Sequence, residues 1–279
     1  MATATAIATK RLPSGASIPV VGLGVYQSAP GAETYGAVLS ALQLGYRHID
    51  TAQFYQNEGD VGKAIVDSGV PREQVFVTSK VFAPEWSYDS VVQAVKDSVA
   101  RIGGGYIDLY LLHAPGDPTH RADAWRALED MQTQGLLRDI GVSNYSEAHL
   151  RKLAETWRVP PAVNQIELHP WLTRTALVKY CEATGIHLEA YSPLAKAYKL
   201  ADPVVNDIAG QLSVTPAQVL VAWSLAKGFI TLPKSVNPTR QKENLDASRV
   251  TLTADHVKQL DELDEYLVTG WDPIKQHPV

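Results

Sequence analysis

The sequence has 279 residues, of which 45% are hydrophobic, and it contains one cysteine. A chain of this length can bury a large core without cross-links, and a single thiol excludes an internal disulfide and a cysteine-based zinc site. The formal charge of −5 at pH 7 argues against a nucleic-acid-binding surface, which needs clustered positive charge. The sequence contains no apolar run near the roughly 20 residues that span a membrane.

The first nine residues are rich in Ala and Thr and lack the apolar segment of a secretory signal. We therefore expect a frayed N-terminus on a cytoplasmic protein, and we expect the chain to work as a monomer. In residues 11–20, the Ser14-Gly15 pair predicts a β-hairpin that turns at that point.

Beyond the hairpin, amphipathic segments end repeatedly in glycine, and a short aliphatic run follows each one. Leu150, Leu153 and Trp157 show helical spacing. The aliphatic runs show little polar alternation, which is typical of parallel strands buried on both faces. With residues 21–26 as the first strand, eight strands can be counted, the number in a (β/α)8 barrel. Residues 201–210 and 253–264 are predicted as two helices outside the eight repeats.

The alternative architecture is an open, doubly wound sheet, which would carry a Gly-x-Gly-x-x-Gly turn after its first strand. The candidate segment, residues 22–27, lacks the third glycine and lies within the predicted strand. We therefore predict a single (β/α)8 TIM barrel domain over residues 1–279, with an N-terminal β-hairpin and two extra helices.

Four titratable side chains are predicted to meet at the carboxyl ends of the strands, where barrels of this type hold their active sites. They are Asp50, Tyr55, Lys80 and His113. Singly, each has an ordinary structural explanation, such as a helix cap or a core histidine. Together they favour a proton-donating tyrosine, because an ammonium lowers the pKa of a nearby phenol and a carboxylate keeps that ammonium charged. The histidine would orient a substrate carbonyl.

A phosphate site is predicted after the eighth strand, at the start of the following helix. Residues 232–240 supply Lys234, Arg240 and the Ser235 hydroxyl there. Two such cations suit a ribose 2′-phosphate, because arginine binds phosphate with two donors and lysine adds a point charge. A solvated basic loop is the alternative interpretation.

Three segments of the sequence resemble the aldo-keto reductase family. Residues 45–52 read GYRHIDTA, residues 135–144 read GLLRDIGVSN, and residues 232–235 read LPKS. The resemblance implies a (β/α)8 barrel that reduces small carbonyl compounds with NADPH and without a metal. It further implies that Tyr55 is the general acid, that Asp50 and Lys80 tune it, and that His113 orients the substrate.

The resemblance also implies a cofactor site spread over four strand ends. Ser143, Asn144 and Gln165 match positions that hold the nicotinamide carboxamide. Tyr191 matches the aromatic residue that stacks on the nicotinamide ring, and Ser192 and Leu194 match positions in the pyrophosphate-binding loop. Lys234, Ser235, Val236 and Arg240 match the clamp on the 2′-phosphate, and Glu243 and Asn244 match the adenine edge.

The sequence departs from the family pattern around the substrate. Ala114 follows the histidine where Trp is common, Phe82 and Tyr26 also stand where Trp is frequent, and Gln241 replaces the usual Ile. Loss of an indole beside His113 would enlarge the pocket. The predicted pocket wall consists of Tyr26, Phe54, Phe82, Trp86, Ala114 and Trp271.

Two other functions stay open at this point. A nucleotide-sensing subunit with little turnover could use the same barrel, because a fold does not fix a function. A metal-assisted hydrolase would need clustered ligands at the strand ends, whereas His113 and His120 lie on either side of a proline-rich loop. Cys181 is predicted to be a core residue on the apolar side of a helix.

Overall fold

The computed structural model describes residues 7–82, 86–270 and 272–279. The strands in these ranges are β1 (Thr9–Arg11) and β2 (Ser17–Pro19), followed by β3 (Leu23–Gly24), β4 (His48–Asp50), β5 (Phe76–Val81), β6 (Ile107–Leu112), β7 (Leu137–Ser143), β8 (Val163–Glu167), β9 (His187–Tyr191) and β10 (Ile230–Leu232). The helices are α1 (Ala32–Leu44), α2 (Glu58–Asp67), α3 (Tyr88–Ile102), α4 (Arg121–Thr133), α5 (Glu147–Ala154), α6 (Thr175–Thr184), α7 (Pro203–Leu212), α8 (Pro216–Ala226), α9 (Pro238–Asp246), α10 (Ala254–Asp261) and α11 (Pro273–Gln276).

The N-terminal hairpin closes one end of the barrel. Strands β1 and β2 pair antiparallel, with Lys10 opposite Ile18, and Gly15 in the turn has a φ of 88°. Glycine adopts this left-handed conformation without steric cost. Ile18 is fully buried and belongs to one apolar cluster with Leu109 and Leu111 of β6. The predicted hairpin is therefore confirmed, and it fills the barrel end opposite the strand C-termini.

Strands β3 to β10 form a parallel sheet in sequence order. Parallel bridges join Val21 to Thr231 and Gly24 to Lys234, so the first and last strands meet and the sheet closes into a barrel. The predicted (β/α)8 architecture is confirmed, and the open sheet is excluded. Strand β3 is shorter than the predicted residues 21–26. At Gly22 a Cβ atom would lie 2.7 Å from His48 Nδ1, so only glycine fits beside this inward-pointing imidazole.

Helix boundaries follow from local capping. The Thr215 hydroxyl caps α8 by accepting the Gln218 backbone N–H, and the Gln218 side chain accepts the Thr215 backbone N–H in return. Pro216 occupies the first turn, where its missing N–H costs nothing. The predicted helix at 201–210 is α7, which begins after Asp202 because that side chain accepts the Val204 N–H. The predicted helix at 253–264 is α10, and Thr253 caps it. Helix α11 is a further short helix outside the repeats.

The core lies between the sheet and the helices, and every residue of β5 and β6 is buried. Cys181 of α6 is fully buried, and burial raises the pKa of its thiol to about 12. This fits the prediction of a core residue. In the described ranges no single helix is long and apolar enough to cross a membrane; α7 and α8 meet that criterion only as a pair bent by 91°.

Candidate active site

An ion pair between Asp50 and Lys80 lies in the barrel interior. Lys80 Nζ is 2.6 Å from Asp50 Oδ1 and 2.8 Å from Oδ2, and it also donates to the carbonyl of Thr51 at 3.0 Å. The two residues come together because β4 and β5 are adjacent parallel strands and both side chains point inward. Lys80 is fully buried and Asp50 is 3% exposed. Burial raises the pKa of Asp50, and the adjacent ammonium opposes that rise.

Tyr55 lies directly above this pair, in a single 3-10 turn after β4 (Gln53–Tyr55). Its hydroxyl is 3.5 Å from Lys80 Nζ. Burial raises the pKa of the Tyr55 phenol well above its usual value, and the Asp50 carboxylate adds to the rise. The prediction that Lys80 lowers this pKa is therefore wrong. Asp50 neutralises the lysine charge, so desolvation of the phenolate dominates.

His113 follows β6 and faces Tyr55, with ring centroids 5.6 Å apart and the rings nearly perpendicular. Burial lowers the pKa of His113 to about 3, and the Lys80 charge contributes. The imidazole is therefore neutral at physiological pH. Its Nδ1 is buried and has no hydrogen-bond partner within the described residues. Asp50, Tyr55, Lys80 and His113 thus meet, as the sequence predicts.

Strands β7 to β9 and the residues just after them carry polar side chains that are linked by hydrogen bonds. Tyr191 donates its hydroxyl to Asn144 Oδ1 at 2.9 Å, and Asn144 Nδ2 donates to the His113 carbonyl at 3.0 Å. Ser143 Oγ donates to the Gln165 carbonyl at 2.9 Å. Asn144 has a φ of 66°, a left-handed conformation that asparagine tolerates better than most residues. These bonds join the Asn144 and Tyr191 side chains to each other and to the backbone of His113.

The loop after β9 has an unusual backbone. Ser192 has a φ of 48°, and the three consecutive residues Ala195, Lys196 and Ala197 also have positive φ values. Leu194 is half-buried immediately before them. Lys196 Nζ donates to the Thr269 carbonyl at 3.0 Å, which ties this loop to the C-terminal segment. The predicted pyrophosphate residues Ser192 and Leu194 therefore lie in a strained loop.

The predicted phosphate residues surround the start of α9. The Asn237 side chain caps this helix by accepting the Arg240 N–H at 3.1 Å, and the Ser235 hydroxyl accepts the Asn237 N–H. Lys234 and Arg240 are exposed, and neither forms an ion pair with any residue that the structure describes. Val236 is also exposed there, and Glu243 and Asn244 follow within α9. Two free cations at a helix N-terminus fit an anionic phosphate.

A cavity of about 350 Å³ lies between Tyr55 and the loop after β3, where residues 27–30 and Glu33 also line it. Tyr26 and Phe54 line it, while Phe82 contacts Phe54 at a centroid distance of 4.9 Å. The predicted wall residues Trp86 and Ala114 are buried instead, and the Trp86 ring packs over Gly116. Trp271, also predicted to line the pocket, lies outside the described residues. We call Tyr26, Phe54 and Phe82 the aromatic rim.

Sequence reasoning missed the polar residues deeper in the barrel. Glu189 of β9 is fully buried, and its Oε2 accepts a hydrogen bond from Gln165 Nε2 at 2.6 Å. The same Nε2 donates to Asp50 Oδ2 at 2.8 Å. His48 lies 3.4 Å from the other Glu189 oxygen. An acidic residue within an otherwise apolar strand was the available signal. Among the described residues no group of three His, Cys, Asp or Glu side chains could hold a metal ion.

Comparison with known proteins gives consistent matches. The model of the Aldo/keto reductase family matches residues 21–265. An aldo-keto reductase of Mycolicibacterium smegmatis is 45% identical over 94% of this chain and 95% of its own length. The glyoxal reductase of Bacillus subtilis is 40% identical over 95% of this chain and 96% of its own. The structure of a Bombyx mori aldo-keto reductase in complex with NADP has a TM-score of 0.88 and 32% identity, covering 95% of both chains.

Proposed function

The chain belongs to the aldo/keto reductase family, and from this premise we propose that it reduces aldehydes or ketones to alcohols with NADPH. Tyr55 is the proposed proton donor. The observation that carries the proposal is the position of Lys80 Nζ, which contacts both Asp50 carboxylate oxygens and lies 3.5 Å from the Tyr55 hydroxyl. Such a chain places a protonated phenol at a cavity and a fixed positive charge behind it.

The proton transfer follows from these contacts. Burial raises the pKa of Tyr55, so the phenol keeps its proton until a substrate oxygen develops negative charge beside it. As the O–H bond lengthens, the nearby Lys80 ammonium stabilises the forming phenolate, and the fixed position of that ammonium requires no reorganisation. Asp50 holds Lys80 in place. The neutral His113 imidazole can donate one N–H to the substrate oxygen and orient it.

The residues for the cofactor fit its chemistry. When bound, NADPH supplies the hydride. We propose that Ser143, Asn144 and Gln165 hold its carboxamide and that Tyr191 stacks on its ring. The unpaired Lys234 and Arg240 at the start of α9 would bind the 2′-phosphate with Ser235 and Val236, which favours NADPH over NADH. Ser192 and Leu194 would face the pyrophosphate, and Glu243 and Asn244 the adenine. The NADP complex of the Bombyx mori relative supports this assignment.

The substrate is proposed to be a small carbonyl compound that binds against the aromatic rim. The name of the Bacillus subtilis relative, glyoxal reductase, supports small aldehydes as the first class to test. Because the proposed acid and the proposed cofactor residues all lie within one chain, we propose that a monomer is sufficient for activity.

The test follows NADPH absorbance with a panel of aldehydes and ketones. General acid catalysis contributes about 10²–10⁴-fold, so Tyr55→Phe is expected to lower kcat by that factor while NADPH binding persists. Tyr26→Phe is the matched control, because its ring lies 5.0 Å from that of Tyr55 and it should lower kcat far less. Full turnover in Tyr55→Phe would refute the acid assignment. Tight NADPH binding without turnover of any carbonyl would favour a sensing subunit, and full activity in chelator would exclude a metal-dependent hydrolase.

A further inference from the structure

A carboxyl group that the proposed reaction does not use lies at the centre of the barrel. Glu189 is fully buried, with a relative solvent exposure of 0%. Its Oε2 accepts one N–H of Gln165 Nε2, and Asp50 Oδ2 accepts the other. Each of the two amide hydrogens is therefore donated to a different carboxyl group. The amide oxygen is the one polar atom of the Gln165 side chain left for another ligand.

The second oxygen of Glu189 faces a histidine whose tautomer is fixed. His48 Nδ1 lies 3.2 Å from the Pro19 carbonyl, which can only accept, so Nδ1 carries the hydrogen. In the neutral imidazole Nε2 is then an acceptor, and it faces the Thr78 hydroxyl at 3.0 Å and Glu189 Oε1 at 3.4 Å. Glu189 Oε1 has no hydrogen-bond partner within the described residues. The Thr78 hydroxyl can donate to Nε2, whereas no group among the described residues donates to Glu189 Oε1, so an ionised Glu189 would leave that oxygen buried and unsatisfied.

We propose that Glu189 is a positioning residue: it carries a proton at neutral pH and holds the Gln165 amide nitrogen, so that the amide oxygen is left for the cofactor. The proton keeps Asp50 as the single negative charge of the interior, balanced by Lys80. The protonation of Glu189 does not depend on the proposed function; only its effect on NADP binding rests on that function.

The charges that face Glu189 agree with this assignment. Strand β4 contributes His48 and Asp50, and the turn after it contributes Tyr55. Strand β5 contributes Lys80, β8 contributes Gln165, and β10 places the apolar Ile230 opposite Glu189 in the sheet register. Burial raises the pKa of Glu189 to about 8, and the Asp50 carboxylate adds to the rise. Burial lowers the pKa of His48 to about 3. At neutral pH Glu189 therefore keeps its proton, and His48 stays neutral with its one hydrogen on Nδ1.

A consequence arises when Glu189 loses its proton at alkaline pH. The interior then carries a second negative charge, which attracts the positively charged nicotinamide of NADP+ and not the neutral ring of NADPH. Because linkage between two sites is reciprocal, NADP+ binding must also favour release of this proton. The ratio of the two dissociation constants should therefore depend on pH, whereas contributions from the common 2′-phosphate cancel in that ratio.

The first experiment observes the proton directly by infrared spectroscopy of the protein without cofactor. We expect the C=O stretching band of a neutral carboxylic acid at pH 7 and its loss as the pH rises through about 8. The band should vanish in Glu189→Gln and persist in the control Glu182→Gln, an exposed position on α6. Absence of the band in the wild type, or its survival in Glu189→Gln, would overturn the proposal. Disappearance of the band in Asp50→Asn alone would assign the proton to Asp50 and also overturn it.

The second experiment measures the dissociation constants of NADP+ and NADPH by fluorescence between pH 6.5 and 9. In the wild type the NADP+ to NADPH ratio is expected to fall by on the order of tenfold, which corresponds to a pKa change of about one unit. Glutamine mimics the neutral acid, so Glu189→Gln should give a flat ratio. An equal fall in both proteins would refute the role of Glu189. Failure of both nucleotides to bind would instead refute the proposed function and leave the infrared result standing.

Discussion

The barrel interior and the aromatic rim are only a few ångströms apart along the Tyr55 side chain, yet they differ in almost every physical property. Lys80 and Glu189 are fully buried, whereas Tyr26, Phe54 and Phe82 are 47%, 55% and 45% exposed. The interior consists of charged and amide groups with short, specific hydrogen bonds. The rim consists of rings that contact one another at tilted angles, as Phe54 and Phe82 do at 48°.

This difference suggests that the barrel interior carries out the chemistry and that the aromatic rim recognises the substrate. Charges interact strongly in the low-dielectric interior, so the loss of one group should affect all its neighbours. Exposed rings contribute area and stacking, which tolerate substitution and different ligand shapes. We therefore expect interior variants to change stability, kcat and pH dependence together, and rim variants to change KM alone.

Lys80→Met should have the largest effect, because it leaves Asp50 buried without its ionic partner. Breaking a buried pair from one side costs about 3–5 kcal/mol, so the free energy of unfolding in urea should fall by that amount. The kcat should fall by about 10² or more, since the forming phenolate loses its stabilising charge.

The double variant Asp50→Asn/Lys80→Met is the matched control. It removes both charges, so it should recover part of the stability and none of the activity. Wild-type stability in Lys80→Met alone would show that the ion pair does not hold the interior.

Arg240→Ala tests an exposed residue that carries charge and is therefore expected to behave unlike the aromatic rim. A hydrogen bond to a charged group contributes about 1.5–3 kcal/mol, so kcat/KM with NADPH should fall by about 10–100-fold. The value with NADH should change little. Arg249→Ala, an exposed arginine just after α9, is the control and should leave the NADPH preference intact. Equal losses with both cofactors would contradict the 2′-phosphate assignment.

The pH dependence of stability tests the interior without any ligand. Glu189 has a pKa of about 8 when folded against an ordinary 4.5, so the folded state holds a proton that the unfolded state releases. Its stabilisation is present below pH 4.5 and is lost as the pH rises through about 8. His48 has the opposite sign, with a lowered pKa of about 3, and loses its stabilisation as the pH falls below 6.5. The two contributions cancel between pH 4.5 and 6.5.

Several histidines, His113 among them, also have lowered pKa values, so the Glu189 contribution is isolated as the difference in unfolding free energy between the wild type and Glu189→Gln. This difference should fall by about 1.4 kcal/mol per pH unit, or about 2 kcal/mol between pH 6.5 and 8. Urea titrations at each pH measure it. The corresponding difference for Glu182→Gln should not depend on pH; a difference for Glu189→Gln that is also independent of pH would mean that another group carries the proton.

Phe54→Ala should have the smallest effect. A stacked ring contributes about 0.5–1.5 kcal/mol, so KM for an aromatic aldehyde should rise by about 3–10-fold at nearly constant kcat. Stability should change by less than about 0.5 kcal/mol, as for Val66→Ala on the exposed face of α2. A large fall in kcat would show that the rim also positions the reacting atoms, and the separation of chemistry from recognition would fail.

The fold was predictable because its signals are local. Glycine ends the helices, and unbroken apolar runs mark strands buried on both faces, so the barrel and the extra helices at 201–210 and 253–264 follow from short-range patterns. The meeting of Asp50, Tyr55, Lys80 and His113 was predictable for a similar reason. Each lies at or just after a strand end, and a parallel barrel brings strand ends to one face.

The properties that were not predictable depend on depth and on long-range pairing. The direction of the Tyr55 pKa shift is set by desolvation and by the neutralisation of Lys80, and neither is visible from residue types. Glu189 could be read as an acidic residue in an apolar strand, but only the register of β9 against β8 places it against Gln165. Trp86 is an aromatic near a strand end that packs inward on Gly116 instead of reaching the cavity.

The burial of Cys181 affects how the protein reacts with electrophilic carbonyl compounds. Aldehydes and dicarbonyl compounds are electrophiles that attack exposed thiolates, and cysteine reactivity depends on the thiolate fraction. The chain has one cysteine, it is buried in α6, and burial raises its pKa to about 12. The barrel surface therefore offers no thiolate for alkylation. We therefore expect reactive carbonyl compounds to leave Cys181 unmodified.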